Sequence, residues 1–416
     1  MLALALAAAL AASPAPDAAL RARVDKVLSK TPLVDGHIDL PWAIRDNEKA
    51  PRDVAAYDLR QRTPGHTDLE RLARGKVGGV FWSVYIPADP KRAQGFAKTQ
   101  LEQIDIARQV IERYPERLET AWSADDVVRA FERGKVASLI GLEGGHAIEN
   151  SLGALRAFRA LGGRYMTLTH GATIDWADSA TGTARHGGLS RFGEEVVREM
   201  NRLGMLVDLS HVSPEAMDDA LRVSEAPVIF SHSSARAIVD HPRNVPDDIL
   251  RKLPANGGVV MVTFVPSFVS NEVRMAYDAR EKRIEAATKD VADPAEKRRR
   301  ENEIKAKEPL PKATVAQVAD HVEHVRRMAG VDHVGIGSDF DGIDEGPAGL
   351  EDVSAFPNLL VELARRGWSD ADLARLAGGN ILRVMRRAEE VAARLRKARP
   401  PSTATIEQLD GTPPAR

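Results

Sequence analysis

Leu206-Val-Asp-Leu-Ser-His211 and Val228-Ile-Phe-Ser-His232 follow one another closely, and each is an apolar run that closes on Ser-His. Short runs rich in Val, Ile, Leu and Phe fit buried parallel strands. Working outward from this pair, six further runs share the form: Leu33 to Asp39, Gly79 to Ile86, Ala137 to Glu143, Tyr165 to His170, Val259 to Phe264 and His333 to Asp339. Amphipathic stretches separate them and supply crossover helices. Ser123 and Ser213-Pro214 open two of these helices, and Gly134 and Gly204 close two. Eight such units predict an α/β fold, a (β/α)8 or TIM barrel.

A chain of 416 residues is long for one domain, yet barrels with insertions reach this length. Residues 21–398 are expected to form a single barrel domain. The connection after the seventh strand, 271–310, is unusually long, charged and interrupted by proline. Its alternating acids and bases read as a solvated helical excursion, or otherwise as a lid or partner surface. From Arg399 the chain turns to Pro, Ser, Thr and Gly, so 399–416 is expected as a loosely held tail. Residues 1–20 begin with an Ala/Leu run, Met1 to Ser13, that looks like the apolar part of a signal peptide without its basic start. Export to a bacterial periplasm or the medium is the expectation. A cytoplasmic protein with an Ala-rich helical extension is the alternative.

The formal charge of −2 offers no field for nucleic acid or anionic lipid, and no later segment is long and apolar enough for a membrane span. With no cysteine, zinc–thiolate sites and cysteine nucleophiles are excluded, and a homodimer, if formed, is not disulfide-linked. Any metal must therefore be held by nitrogen and oxygen.

Nearly every candidate strand ends in a residue able to bind metal or move a proton, and in this fold the C-terminal strand ends build the active site. His37 and Asp39 are two apart, so both can face the barrel mouth. Glu143 ends the third run beside two glycines, and its two oxygens can reach two ions; its ordinary alternative is a surface salt bridge. A single histidine at a strand end is more often a satisfied core residue. His211 and His232, at equivalent ends beside carboxylates, point instead to ligation. This donor set favours zinc, though manganese, cobalt or iron could substitute. His170 and Asp339 end two more runs and are available to substrate. Arg243 could pair with a carboxylate or simply cap a helix end. His66, His146, His186, His241, His321, His324 and His333 read as loop, helix-surface or strand-start residues, and Asp341 as a turn residue. There is no G-x-S-x-G elbow, P-loop or dinucleotide fingerprint.

At these residues the chain resembles the membrane (renal) dipeptidase family of metal-dependent hydrolase barrels. The resemblance is carried by Val34-Asp-Gly-His-Ile-Asp-Leu-Pro-Trp42, Gly79-Val-Phe-Trp-Ser-Val-Tyr85, Gly134-Lys-Val-Ala-Ser-Leu-Ile-Gly-Leu-Glu-Gly-Gly-His146, Thr167-Leu-Thr-His170, Phe230-Ser-His-Ser-Ser-Ala235, Arg243-Asn-Val-Pro-Asp-Asp248 and Gly337-Ser-Asp-Phe-Asp-Gly342. It implies two zinc ions per chain, one on His37 and Asp39, the other on His211 and His232, with Glu143 bridging. It also implies that His170 and Arg243 contact the substrate, Arg243 through its carboxylate, and that Asp339 meets its free amino group. The expected reaction is hydrolysis of dipeptides, D-residue-containing ones among them, by a metal-bridging hydroxide. Glu143 or Asp339 would relay the proton, and His170 would steady the charge on the carbonyl oxygen. The alternatives are a related amidohydrolase acting on a β-lactam, an N-acyl amino acid or a cyclic amide, and a catalytically silent binding barrel. The family's lipid anchor does not carry over, since there is no hydrophobic C-terminal tail, and the insertion 271–310 has no counterpart in the shorter animal pattern.

Overall fold

The computed structural model describes residues 16–88 and 95–411; the signal-like run Met1 to Ser13 lies outside them. Nine parallel strands form one sheet: β1 (Leu33–Ile38), β2 (Val77–Tyr85), β3 (Leu118–Thr120), β4 (Val136–Glu143), β5 (Gly163–Thr167), β6 (Leu206–Asp208), β7 (Ile229–Phe230), β8 (Val259–Val262) and β9 (Val334–Ile336). Pairing of β2 with both β1 and β4, and of β1 with β9, closes eight of them into the expected barrel. The short β3, Leu-Glu-Thr, lies outside the ring on the first half of β4, before β5 takes over that edge. Its three residues have no apolar pattern to announce it.

The helix signals act as their chemistry requires. The Ser123 hydroxyl accepts from the Asp126 N–H, and the Ser213 hydroxyl accepts from the Ala216 N–H with Pro214 in the first turn. Gly204 ends the helix Arg191–Leu203 at φ 67°, a left-handed turn that glycine adopts without strain. Inside the barrel, Val34, Phe81, Leu139, Tyr165, Ile229 and Met261 fill the space between the strands. The long helix Asn380–Ala398 adds Ile381, Val384, Met385 and Val391 to that same cluster.

Two expectations change. Residues after Arg399 are held against the helix Arg191–Leu203 as far as Gly411. Ile406 is buried, Arg156 Nη1 donates to the Ser402 carbonyl (3.0 Å), and Asp410 accepts from the Arg191 and Phe192 N–H groups (both 3.0 Å). A carboxylate at a helix N-terminus satisfies donors that have no partner within the helix. The insertion folds as two helices, Asn271–Thr288 and Pro294–Lys307. The second has its charges paired along its own surface, as Arg299 and Arg300 do with Glu296. The first turns Val273, Arg280 and Ile284 inward, so it is more than a solvated excursion. Among the described residues, no helix is long and apolar enough to cross a membrane.

His321, read as a helix-surface residue, is fully buried. Its Nδ1 accepts from the Ala235 N–H (3.0 Å), and its Nε2 lies 3.3 Å from the Val269 carbonyl. Burial holds its pKa down at about 4. Between the ordinary value and that one, the unfolded chain binds a proton that the folded chain refuses. Stability therefore falls as pH falls through this window, by up to about 3 kcal/mol. In urea unfolding of metal-free protein, His321→Asn should lose less stability than the parent between pH 6.5 and 4. Equal losses would remove His321 as the source.

Candidate metal centre and substrate cavity

All the residues singled out at the strand ends meet at one mouth of the barrel except for differences in how they get there. His37 belongs to β1, while Asp39 lies just past it as the first residue of the turn into the helix Leu40–Arg45. Glu143 is the last residue of β4, opposite Tyr85 of β2. His211 and His232 do not close strands as expected. β6 stops at Asp208 and β7 at Phe230, because the Asp208 carboxylate takes the Ser210 and Ser231 N–H groups (3.1 and 2.8 Å) away from the ladder. Asp35 likewise accepts from the N–H groups of His37 on its own strand (3.1 Å) and of Ser338 just past β9 (2.8 Å), and the β1–β2 register shifts between Asp35 and Ile38. Neither aspartate stands out in the sequence, since a buried carboxylate inside an apolar run looks like an interruption.

The two oxygens of Glu143 divide the site. Oε2 lies 3.4 Å from His37 Nε2 and accepts from the Ser83 hydroxyl (3.2 Å). Oε1 lies 3.0 Å from His211 Nε2 and 3.5 Å from His232 Nε2, with His170 Nε2 at 3.9 Å. On the first side, His37 Nε2 is also 3.3 Å from Asp39 Oδ2 and 4.0 Å from Asp339 Oδ1. On the second, the Nε2 atoms of His211 and His232 are 2.9 Å apart. Burial alone would raise the Glu143 carboxyl, but His37, His211 and His170 outweigh it and hold the group well below its ordinary value. Burial, then Arg243 and His170, pushes His211 well down; burial, then His37 and Arg243, does the same to His232. Both imidazoles are therefore neutral and offer lone pairs.

Neighbouring groups set which nitrogen faces inward. Ser231 donates to Asp208 Oδ2 (2.6 Å), so its oxygen accepts from His232 Nδ1 (2.8 Å), and Nε2 is left for the site. His37 Nδ1 lies 2.8 Å from the Tyr165 hydroxyl, whose pKa burial raises far enough to keep its proton. The ring of Tyr165 fits only because residue 141 is glycine: a Cβ there would overlap it. Backbone strain gathers at the same place, with His211 at φ 69° and Asp339 at φ 68°.

Above the cluster opens a cavity of about 930 Å³ lined by Trp42, Tyr85, His170, Arg243 and Phe268, with part of the insertion as its outer wall. Arg243 is buried and lies 5.5 Å from the Phe268 ring. Its Nη2 reaches the His232 carbonyl at 3.4 Å, while Nη1 has no hydrogen-bond partner among the described residues. Burial lowers its pKa to about 10, so it remains a cation at neutral pH. His241, read as an ordinary loop residue, also lines the cavity: it stacks on Phe268 at 4.2 Å and accepts from the Arg243 N–H (3.1 Å). Of the other histidines, His146, His321 and His324 are buried away from this cavity. Asp341 does lie in a left-handed turn (φ 65°) and accepts from the His66 N–H (2.6 Å).

A family model described as membrane dipeptidase, peptidase family M19, matches residues 21–399. The chain belongs to the membrane dipeptidase family. A curated relative, Dipeptidase verJ of Clonostachys rogersoniana, is 43% identical over 89% of this chain and 88% of its own length. The crystal structure of the probable dipeptidase PvdM from Pseudomonas aeruginosa is similar at a TM-score of 0.77 and 25% identity, covering 90% of this chain and all of that one. A metallo peptidase from Rhodobacter sphaeroides, liganded with a phosphinate mimic of L-Ala-D-Ala, shares the fold at a TM-score of 0.71 and 24% identity, over 86% and 99% of the two chains. This membrane dipeptidase family member is thus an enzyme, a metallopeptidase that acts on dipeptides.

The residues present suit a metal. Donors about 2.0–2.1 Å from a tetrahedral ion lie roughly 3.3 Å from one another. The spacings around Glu143, 3.4 Å to His37, 3.0 Å to His211 and 3.5 Å to His232, match that figure. His37 Nε2 and Asp39 Oδ1 are buried without a hydrogen-bond partner, and three overlapping groups bring donor atoms within 4.8 Å: His37, Asp39 and Glu143; Glu143, His211 and His232; His37, His232 and Asp339. If Tyr165 orients His37, then Tyr165→Phe, which keeps the ring and loses the hydroxyl, should weaken metal binding by about 10–100-fold. Chelator competition would measure this, and unchanged affinity would exclude the orienting role.

Proposed function

We propose that this dipeptidase works with two zinc ions, one on His37 and Asp39 and one on His211 and His232, with Glu143 shared between them. The observation that carries the reading is the division of the Glu143 carboxylate, one oxygen toward His37 and the other toward the two later histidines. The alternation of imidazole and carboxylate donors, without thiolate, suits zinc. When bound, a metal pair supplies a nucleophile near neutral pH by lowering the pKa of water from ~16 toward ~7, and it polarises the carbonyl.

The chain's own groups account for the rest of the chemistry. Arg243 binds the substrate carboxylate through Nη1, the guanidinium nitrogen that has no partner among the described residues. His170 stands at the edge of the cluster with its ring 4.6 Å from that of Tyr85, and its side chain is still partly open to the cavity. From there its Nε2 can donate to the carbonyl oxygen as negative charge gathers on it. Asp339 faces the amino end of the substrate. Burial, then the neighbouring Asp39, raises its carboxyl well above the usual range, so Oδ1 can take up a proton and pass it to the leaving nitrogen. A cation at one end and a carboxylate at the other would select two-residue substrates over longer chains.

Removing metal with a chelator should abolish hydrolysis of Ala-Ala, and zinc should restore it; full activity in metal-free protein would defeat the reading. Arg243→Ala should raise KM for Ala-Ala by about 100-fold, the scale of a lost charge-assisted pair. It should have much less effect on the Ala-Ala carboxamide. A panel of L-L, L-D and N-acylated substrates separates a dipeptidase from the related amidohydrolases.

A further inference from the structure

The cavity extends past the metal cluster to the first helix of the insertion, where Tyr277 and Arg280 form part of its wall. About 930 Å³ is near the upper end of the ~300–1,000 Å³ typical of small-molecule sites, and more than two small residues need. The three basic side chains on this outer wall differ in their surroundings. Lys305 Nζ lies 3.8 Å from Asp344, and Lys312 Nζ lies 4.0 Å from Glu345. Both lysine side chains are exposed and both have a counter-charge.

Arg280 is different. It is only 8% exposed, and its Nε has no hydrogen-bond partner among the described residues. The carboxylate within reach, Glu281 Oε1, is the next residue on the same helix and stands 4.0 Å away. The Arg280 guanidinium carbon lies over the Tyr277 ring, 5.8 Å from its centre. A guanidinium N–H shut away from water without an acceptor costs stability, and an anion entering the cavity offsets that cost.

We propose that Arg280 forms a second anion subsite in this cavity, selecting dipeptides that carry an acidic side chain in addition to the terminal carboxylate held by Arg243. The inference rests on the dipeptidase reading of the site. It makes the insertion a determinant of substrate choice, and it gives the enzyme two guanidinium groups for a substrate with two carboxylates. A planar, five-donor group is suited to holding a carboxylate in a fixed orientation.

The test compares Ala-Glu with Ala-Gln and Glu-Ala with Gln-Ala, pairs that differ in charge and little in size. In the zinc-loaded protein, kcat/KM for at least one acidic member should exceed that of its amide by threefold or more, mainly through KM. Arg280→Gln should bring that ratio close to one, Arg280→Lys should keep part of it, and Arg280→Glu should reverse it in favour of a Lys-containing dipeptide. Because the readout is a ratio, a general loss of activity in a variant does not obscure it. A ratio below threefold in both orders, or one that persists in Arg280→Gln, would overturn the proposal. Turnover of Ala-Gln without acid preference would leave the dipeptidase reading standing, whereas absence of any dipeptide turnover would remove that reading. Calorimetric binding of Ala-Glu to metal-free protein gives an independent measure: Arg280→Gln should weaken it by at least threefold, and equal affinity counts against the subsite.

Discussion

Glu143 is a carboxylate placed where a carboxylate is expensive, buried at the end of β4 with four imidazoles around it. An isolated ion in that position would cost several kcal/mol, and only well-placed partners on both oxygens offset it. Those partners arrive from β1 and from the loops after β5, β6 and β7, so one charge fixes the relative positions of four segments. The closed ring of strands then transmits that requirement to the rest of the barrel. If β4 slipped by one residue, Glu143 would point to the helices and its partners would be left facing one another.

The strand ends are held by two further carboxylates, both fully buried and outside the cavity lining. Asp35 and Asp208 each accept two backbone N–H groups from neighbouring strand ends and a serine hydroxyl, from Ser338 and Ser231 respectively. Burial raises both, Asp35 to about 6. At Asp208 these hydrogen bonds end β6 and β7 early; at Asp35 they accompany a register shift within β1, which runs on to Ile38, and the end of β9. The backbone at His37 is thus set by Asp35, two positions earlier on the same strand, and the His232 ring by Ser231, which Asp208 holds from the neighbouring strand.

Much of this was legible in the chain itself. Eight apolar runs with turn signals between them were enough for the barrel, and the coincidence of His, Asp and Glu at their ends was enough to gather His37, Asp39, Glu143, His170, His211, His232 and Asp339 at one mouth; Arg243, a loop residue, came to the site through the family resemblance. What was not legible depends on contacts between distant segments. Tyr165 looked like any strand aromatic until Gly141 made room for it beside His37. His241 and Phe268 meet only because two loops converge, and His321 is buried because a helix face turns toward the loop after β7. The tail after Arg399 has a loop's composition, yet Asp410 finds the open N-terminus of a helix that begins 219 residues earlier. The alternating charges of the insertion gave a correct account of its second helix and an incomplete one of its first, where a single inward arginine breaks the pattern.

His211 and Asp339 hold backbone angles that an L-residue with a side chain adopts at a cost on the order of 1 kcal/mol each. Glycine would relieve both angles, yet at position 211 it would also take away the imidazole 3.0 Å from Glu143 Oε1 and leave that buried charge a partner short. Mutagenesis for heat resistance that weighed backbone strain alone would choose these two positions and would empty the centre it sought to preserve. Strain and the side chains of the centre are tied together at the same two residues, and any effort to harden the protein has to find its gains elsewhere in the chain.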